Sequence, residues 1–127
     1  MAMIKSYTDI EQSKKLAEIL SLESADMFYD GVQDLYKEKV YNIPINGSSI
    51  TVRTGHIITQ KGIKANLLLP CWSLAALLGV LPEPNIFKVD GLWHIFCDNN
   101  DSCVNGFDNP VDVCYEMILK LNELNLL

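Results

Sequence analysis

Strand-forming residues flank a turn dipeptide at two places in the chain, which predicts two β-hairpins, and in the first of them apolar positions also alternate along both strands. The first spans residues 41–52 around Asn46-Gly47, and the second spans residues 86–96 around Asp90-Gly91. Both dipeptides tolerate the positive φ angles of a type I′ turn, whose twist matches that of the flanking strands. These hairpins are therefore expected to form the framework of a β-sheet.

Weaker patterns surround the hairpins. Two further strands are predicted at residues 56–59 and 63–68. Pro44 cannot donate a ladder hydrogen bond, which places the first hairpin strand at a sheet edge. Residues 21–30 show no clean periodicity, and residues 97–107 are polar, so the latter are predicted to be a loop.

The first and last helices are predicted from their capping residues. Thr8 and Glu11 match a capping box, and the helix that they open runs to about Leu20. Asn109 as N-cap and Pro110 as first helical residue open the last helix. Its apolar stripe, at helical spacing, consists of Val111, Cys114, Tyr115, Ile118 and Leu121.

Residues 65–82 form the longest uncharged stretch and are expected to build the core. Pro70 fits the first turn of a helix, and Ser73 is an alternative N-cap. Gly79 suits a left-handed C-terminal cap, and Pro82 blocks continuation. Because this helix is apolar all round, it is expected to be buried on every side. A helical part of about 12 Å is too short to cross roughly 30 Å of membrane hydrocarbon.

The order of these elements predicts an α+β fold. We expect a two-layer antiparallel sheet of about four to six strands with two hairpins, and three helices mainly on one face. The length of 127 residues is typical of a single domain, here residues 1–127. A domain of this size buries roughly two-thirds of its unfolded surface, so folding requires neither disulfides nor a metal.

Charge is distributed unevenly along the chain. The formal net charge is −6, with −4 in residues 1–38, +4 in the acid-free residues 39–82 and −6 in residues 83–127. This acidity argues against a general binder of nucleic acid or anionic membranes, because affinity for phosphate depends on cationic side chains. The cations of the middle block are Lys39, Arg53, Lys61 and Lys64, which are expected to form a solvated sheet face or to meet an acidic partner.

The first residues lack an apolar stretch long enough for a signal peptide, which predicts a cytoplasmic protein. Cytoplasmic thiols stay reduced. Cys71, Cys97, Cys103 and Cys114 are therefore interpreted as free thiols.

Several stretches are similar to a group of small uncharacterised proteins from gut Bacteroides-type bacteria and their mobile elements. The resemblance lies in residues 8–20 and 23–27, in Pro-Cys-Trp-Ser-Leu-Ala-Ala-Leu-Leu at 70–78, and in residues 109–127, about half of the chain. It does not extend to residues 30–66. The group has no known activity, cofactor or functional residue, so the resemblance implies only an accessory protein of a phage, plasmid or transposon.

Metal sites are poorly supported by the sequence. Zinc prefers four ligands in two close pairs, but the chain has no Cys-x-x-Cys, and His56 and His94 lie on predicted strands. Residues 101–112 resemble a calcium loop at some positions, yet Cys103 stands where an oxygen ligand is required. We expect no metal and no cofactor.

Catalytic groups are equally sparse. Ser73 lacks a nucleophile elbow, and pairing of Cys97 with His94 or His56 is open but not required by the spacing. Paired carboxylates would have to come from an acidic group that is more typical of a solvated face, namely Glu23, Asp26, Asp30 and Asp34. No catalytic residue is assigned.

Binding candidates are Trp72, Trp93 and Asp26. Tryptophan is enriched at binding hot spots, although packing in the core is the commoner role and is favoured for both tryptophans here. The leading hypothesis is a non-enzymatic accessory protein of a mobile element that binds an unidentified protein partner. The alternatives are a small-molecule-binding or hydrolytic domain near Trp72, and an acidic inhibitor that mimics nucleic acid. The sequence leaves the oligomeric state open.

Overall fold

A computed structural model of the chain describes residues 5–30, 50–55, 68–98 and 102–127. Much of the first predicted hairpin, with Pro44 and the Asn46-Gly47 turn, lies outside these residues, as do the predicted strand at 56–59 and most of the one at 63–68. The chain divides into two compact units, one formed by Asp9–Cys71 and the other by Met1–Thr8 with Trp72–Leu127.

The predicted α+β class is confirmed. The described residues contain three α-helices and six strands, which form two antiparallel sheets of three strands each. The single sheet of the prediction is thus replaced, among the described strands, by two sheets, β2-β1-β3 in one unit and β4-β5-β6 in the other. Of the helices in the described ranges, none is long and apolar enough to span a membrane.

The Asp9–Cys71 unit packs helix α1 against a small sheet. Its strand order is β2-β1-β3, so β1 pairs with a neighbour on each side. Leu16 of α1 and Leu69 of β3 are among its buried core residues. The elements are α1 (Ile10–Ala17), a 3-10 turn (Leu22–Ser24), β1 (Met27–Asp30), β2 (Thr51–Thr54) and β3 (Leu68–Cys71).

The start of α1 corrects the predicted capping box by one residue. Asp9 is the N-cap: its carboxylate accepts the Gln12 N–H at 2.8 Å, and the Gln12 side chain accepts the Asp9 N–H at 3.1 Å. The Thr8 hydroxyl, expected to cap the amide of Glu11, instead accepts the backbone N–H of Trp72 at 3.1 Å. Because the Thr8 oxygen is hydrogen-bonded to the buried Trp72 amide, Asp9 caps the helix instead.

Two elements of this unit were not predicted. Strand β1 lies in the stretch where the sequence showed no periodicity. The strand has only four residues and is paired on both sides, so it contains no long alternation of apolar and polar positions. Pro70, expected in the first turn of a helix, lies in β3 opposite Phe28. Strand β3 is an edge strand of the described sheet, where proline is tolerated.

The second unit packs two helices with a sheet of order β4-β5-β6. The hydrogen bond from Thr8 N–H to the Trp72 carbonyl, 2.9 Å, and a bridge between Tyr7 and Ser73 attach the N-terminal segment to it. The elements are α2 (Leu74–Val80), β4 (Pro84–Val89), β5 (Leu92–Cys97), β6 (Ser102–Phe107) and α3 (Pro110–Glu123).

The second predicted hairpin is confirmed. Asp90 and Gly91 both have positive φ angles, 52° and 81°, as a type I′ turn requires. The loop predicted at 97–107 is wrong for 102–107, which form β6 and pair with β5. Gly106, at φ 82°, coincides with a register shift between Trp93 and His94, which is the geometry of a β-bulge. The extra residue disrupts the alternation that would have revealed the strand.

Helix α2 differs from the prediction in where it begins, in the position of Gly79 and in how far it is buried. The alternative cap is confirmed, since the Ser73 hydroxyl accepts the Ala76 N–H at 3.2 Å, so the helix begins after Pro70. Gly79 lies inside the helix rather than at a C-terminal cap. Leu77 is the only fully buried residue of α2, and Ala75 is exposed. The prediction that this helix is buried on every side is therefore wrong. Small residues such as Ala75 make the sequence of the helix apolar, but they can face solvent.

Helix α3 begins as predicted. The Asn109 side chain accepts the Asp112 N–H at 2.9 Å, and Pro110 is the first helical residue. Of the predicted stripe, Tyr115 is half-buried and the other four residues are fully buried. The helix packs on β5 and β6 and also contacts α2. The buried core of this unit comprises Trp72, Leu77, Leu81, Ile95, Cys97, Val111, Val113, Cys114, Met117, Ile118 and Leu121.

Candidate functional site

The β4–β5–β6 sheet has one covered face and one exposed face. Residues of one strand alternate between faces, and directly paired residues of neighbouring strands share a face. Ile95 and Cys97 are fully buried on the face that meets α3, which we call the inner face. The opposite, outer face presents Asn85, Phe87, Val89, Leu92, His94, Phe96, Cys103 and Asn105.

Three large apolar side chains are exposed on this outer face. Phe87, Val89 and Leu92 keep 47%, 49% and 37% of their surface exposed, and all three belong to the β4–β5 hairpin. In the described ranges the other large apolar residues exposed to this degree are Leu124, Leu126 and Leu127, at the end of the chain. Scattered exposed apolar residues are ordinary, but a contiguous set on one rigid hairpin is typical of an interaction surface.

A row of polar and aromatic contacts crosses the outer face beside these residues. The rings of Phe87 and His94 are stacked, with centroids 5.3 Å apart and an interplanar angle of 15°. His94 Nδ1 and Asn105 Oδ1 lie 3.1 Å apart, which is hydrogen-bonding distance. Asn105 Nδ2 in turn lies 3.8 Å from Cys103 Sγ. The row fixes His94 and Asn105 in place and offers polar groups next to an apolar surface.

The row does not form a catalytic dyad. Activation of a thiol requires contact with a base, but the imidazole of His94 and the thiol of Cys103 each meet Asn105. The other pair considered from the sequence, Cys97 with His94, is excluded by the alternation of β5, since Cys97 lies on the inner face and His94 on the outer face. His56 lies outside the described residues.

The two buried thiols of the inner side are poor nucleophiles. Burial, together with the nearby charge of Asp98, raises the pKa of the Cys97 thiol above 9.0. Burial and the proximity of Cys97 raise the pKa of Cys114 to about 12. Both thiols are therefore protonated at neutral pH, which fits a structural role as small apolar side chains.

The candidates from the sequence occupy different environments. Trp72 is fully buried, which confirms its expected packing in the core and leaves no surface for a ligand. Trp93 is half-buried, and the Lys88 ammonium lies 5.7 Å from the centroid of its ring. Asp26 belongs to the other compact unit, where its carbonyl accepts the Gly55 N–H at 2.8 Å.

The acidic group and the basic block are only partly described. Asp34, Lys39, Lys61 and Lys64 lie outside the described residues. Within them, Arg53 of β2 and Asp30 of β1 form an exposed ion pair of 3.3 Å. Such a pair contributes little to stability and joins one member of each group.

No family model, curated protein or solved structure matches the chain. In the part of the chain that the structure describes, no three His, Cys, Asp or Glu residues are arranged to hold a metal ion. The outer face is therefore the candidate site, and it was missed because β6, which supplies Cys103 and Asn105, was predicted as a loop. The hairpin that carries Phe87 and Val89 was predicted, but an exposed Phe87 cannot be distinguished from a buried one by the sequence pattern alone.

Proposed function

We propose that the chain is a protein-interaction module whose contact surface is the outer face of β4–β5–β6. The observation that carries this proposal is the joint exposure of Phe87, Val89 and Leu92 on one hairpin. Burying such side chains contributes about 25 cal/mol per Å² of apolar surface, so a partner that covers them gains binding free energy.

The composition of the outer face supports a protein partner. Protein interfaces combine an apolar, aromatic centre with polar groups that retain hydrogen-bond capacity. Phe87 and Leu92 supply the apolar part, and His94 and Asn105 supply oriented polar groups next to it. The two-residue turn and the covered inner face hold this surface in a defined shape before binding, which lowers the entropic cost of association.

A non-enzymatic role is supported by the same geometry. Cys103 and His94 are separated by Asn105, and the other thiols are buried. The alternative ligand site near Trp72 gains nothing from that residue, because it is fully buried. The similarity to proteins of Bacteroides-type mobile elements extends the proposal to an accessory role in such an element.

The test uses paired surface variants as bait. The doubly substituted Phe87→Ser/Leu92→Ser protein and the wild type are each immobilised and exposed to a lysate of the cells that produce the chain. The control is Leu126→Ser, which also removes an exposed large apolar side chain but from the end of the chain.

We expect a specific protein to bind the wild type and the Leu126→Ser control and to be lost with the double variant. Installing a photo-crosslinking amino acid at Val89 should then attach that protein covalently. Equal recovery on the wild type and the double variant, with crosslinks equally frequent at position 126, would exclude the outer face as the contact surface.

A further inference from the structure

We infer that strand β4 is a docking edge: an extended segment of the partner protein adds to it as a fourth strand, with apolar residues at its centre and basic residues at its ends. This inference rests on the proposed function and specifies how the partner binds.

The hairpin register determines which backbone groups of β4 face outward. In a two-residue hairpin the residues that flank the turn, Val89 and Leu92, exchange both of their hydrogen bonds. The antiparallel ladder then alternates, so Phe87 and Asn85 also direct their N–H and C=O groups toward β5. The groups of Ile86 and Lys88 point away from the sheet. Pro84 offers a carbonyl but no N–H, so the free ladder ends there.

Strand β4 carries two residues that can protect an edge, Pro84 and Lys88, but neither interrupts its pairing with β5. Its register with β5 is unbroken from Pro84 to Val89, so no bulge twists it away. Its only charged side chain, Lys88, extends over Trp93, with the ammonium 5.7 Å from the ring centroid. Among the described strands, β5 is the one that pairs with β4, and a regular edge strand whose outward donor and acceptor pairs have no partner strand in these ranges is a template for another strand.

The opposite edge of the same sheet is protected. Strand β6 carries the bulge at Gly106, and the Lys120 ammonium of α3 donates to the Cys103 carbonyl at 2.9 Å. Helix α3 also packs against β6. In the part of the chain that the structure describes, the β6 edge therefore carries a bulge and a lysine contact to its backbone, whereas the β4 edge carries neither and pairs with no further strand.

Charges at the ends of β4 select the partner. Exposed acids occupy both ends, with Glu83 and Asp98 joined by a backbone hydrogen bond at one end and Asp90 in the turn at the other. A second copy added antiparallel would bring the Glu83 end of one strand against the Asp90 end of the other, so like charges would meet twice. An extended segment with Lys or Arg at both ends instead meets acids at both ends.

The side chains of the added strand would continue the two faces of the sheet. On the outer face an apolar residue of the partner lies beside Phe87, and extends the surface formed with Val89 and Leu92. Strand addition and outer-face contact are thus parts of one interface, with backbone hydrogen bonds providing affinity and alternate side chains providing selectivity.

The test titrates synthetic peptides into the isotope-labelled full chain. The probe peptide has a Val-Thr-Val-Thr-Val centre and lysines at both ends, and its control has glutamates at both ends. Two further probes carry N-methyl groups on alternate residues, one probe in each phase. Backbone amide spectra and amide exchange report where and how tightly each peptide binds.

We expect the lysine-ended peptide to slow exchange at the Ile86 and Lys88 amides. The glutamate-ended control should bind about tenfold more weakly, because the contacts at both ends of the strand change from attractive to repulsive. N-methylation in one phase should cost about tenfold or more, because it removes donors worth about 1 kcal/mol each, while the other phase binds normally. Asp90→Asn, which keeps the turn preference, should weaken only the lysine-ended peptide.

Four outcomes would overturn the inference. Absence of binding up to millimolar peptide, or equal loss in both N-methyl phases, excludes strand addition by such a segment. Concentration-dependent changes at Ile86 and Lys88 without peptide would assign the edge to a second copy. Perturbation confined to Phe87 and Leu92 would remove the edge mechanism but keep the outer face, so failure here is distinguishable from failure of the bait experiment above.

Discussion

The inner and outer faces of the β4–β5–β6 sheet are built by the same three strands but differ in burial. Ile95 and Cys97 on the inner face are fully buried under α3, whereas Phe87 and Leu92 on the outer face remain substantially exposed. Both faces carry large apolar residues, so apolar character alone does not decide burial. What differs is the presence of a helix whose apolar stripe faces the sheet.

This difference separates stability from recognition. The inner face contributes to folding through close packing, and a change there leaves a cavity. The outer face has already kept its apolar surface in water and loses little when altered, so it is available for a partner.

Thiol labelling should show the largest contrast between the faces. Cys103 is exposed on the outer face, whereas Cys97 is buried on the inner face. Labelling of Cys97 requires an opening that costs several kcal/mol, so its rate should be lower by about a thousandfold or more. We expect one rapidly reacting thiol in the native chain, identified as Cys103 by mass spectrometry, and four in denaturant.

The control is Cys103→Ser, which should abolish the rapid phase without changing the slow one. Rapid native labelling of Cys97 would show that α3 does not cover the inner face in solution.

Paired alanine substitutions should separate the faces in free energy. Ile95→Ala removes a fully buried side chain and should lower the free energy of unfolding by about 2–5 kcal/mol. Phe87→Ala, on the outer face and nearly half exposed, should lower it by only about 1 kcal/mol, chiefly through loss of the stack on His94. Urea unfolding monitored by circular dichroism measures both. Comparable losses would mean that the outer face is also packed.

The buried thiol of Cys114 should make stability fall at alkaline pH. Its pKa is raised by burial and by Cys97 to about 12 in the folded chain, from 9.0. The unfolded chain therefore releases this proton first as pH rises, so the stabilisation is complete below pH 9.0 and is lost progressively up to about pH 12. Relative to Cys114→Ala, the wild type should lose about 1.4 kcal/mol between pH 7 and pH 10.

Each protein is compared with itself at pH 7, so the free energy that Cys114→Ala loses by leaving a cavity does not enter the result. The titrations of Tyr and Lys residues are common to both proteins and cancel in the difference. Parallel pH profiles for wild type and Cys114→Ala would show that this thiol is accessible to water, contrary to its position behind the inner face.

Much of this architecture follows from local signals. The Asp90-Gly91 turn and the Asn109-Pro110 helix start are each specified by residues whose backbone preferences allow few alternatives. The start of α1 was predicted one residue early because Thr8 and Asp9 are both good caps. The choice between them depends on the Trp72 amide, a partner more than sixty residues away along the chain.

The candidate site could not be predicted from the β4–β5 hairpin alone, because β6 supplies part of the outer face. Strand β6 combines a bulge at Gly106 with polar residues, so its pairing with β5 is not visible as alternation. Without β6 the neighbours of His94 could not be inferred, and neither could the outer face. Apolar composition was equally misleading for α2, whose small residues leave much of its surface exposed.

The smallest predicted effect concerns the cap of the helix that covers the inner face. Asn109 accepts the Asp112 N–H at 2.9 Å and donates to the Asp112 carboxylate at 2.7 Å. Asn109→Ala should cost about 1 kcal/mol, as the loss of an N-cap usually does, whereas Asn109→Ser should restore most of it. Because labelling of Cys97 requires opening, the same loss should accelerate it about fivefold, while labelling of Cys103 stays unchanged. Equal acceleration of both thiols would show that α3 protects the sheet as a whole, and that the two faces are not energetically separate.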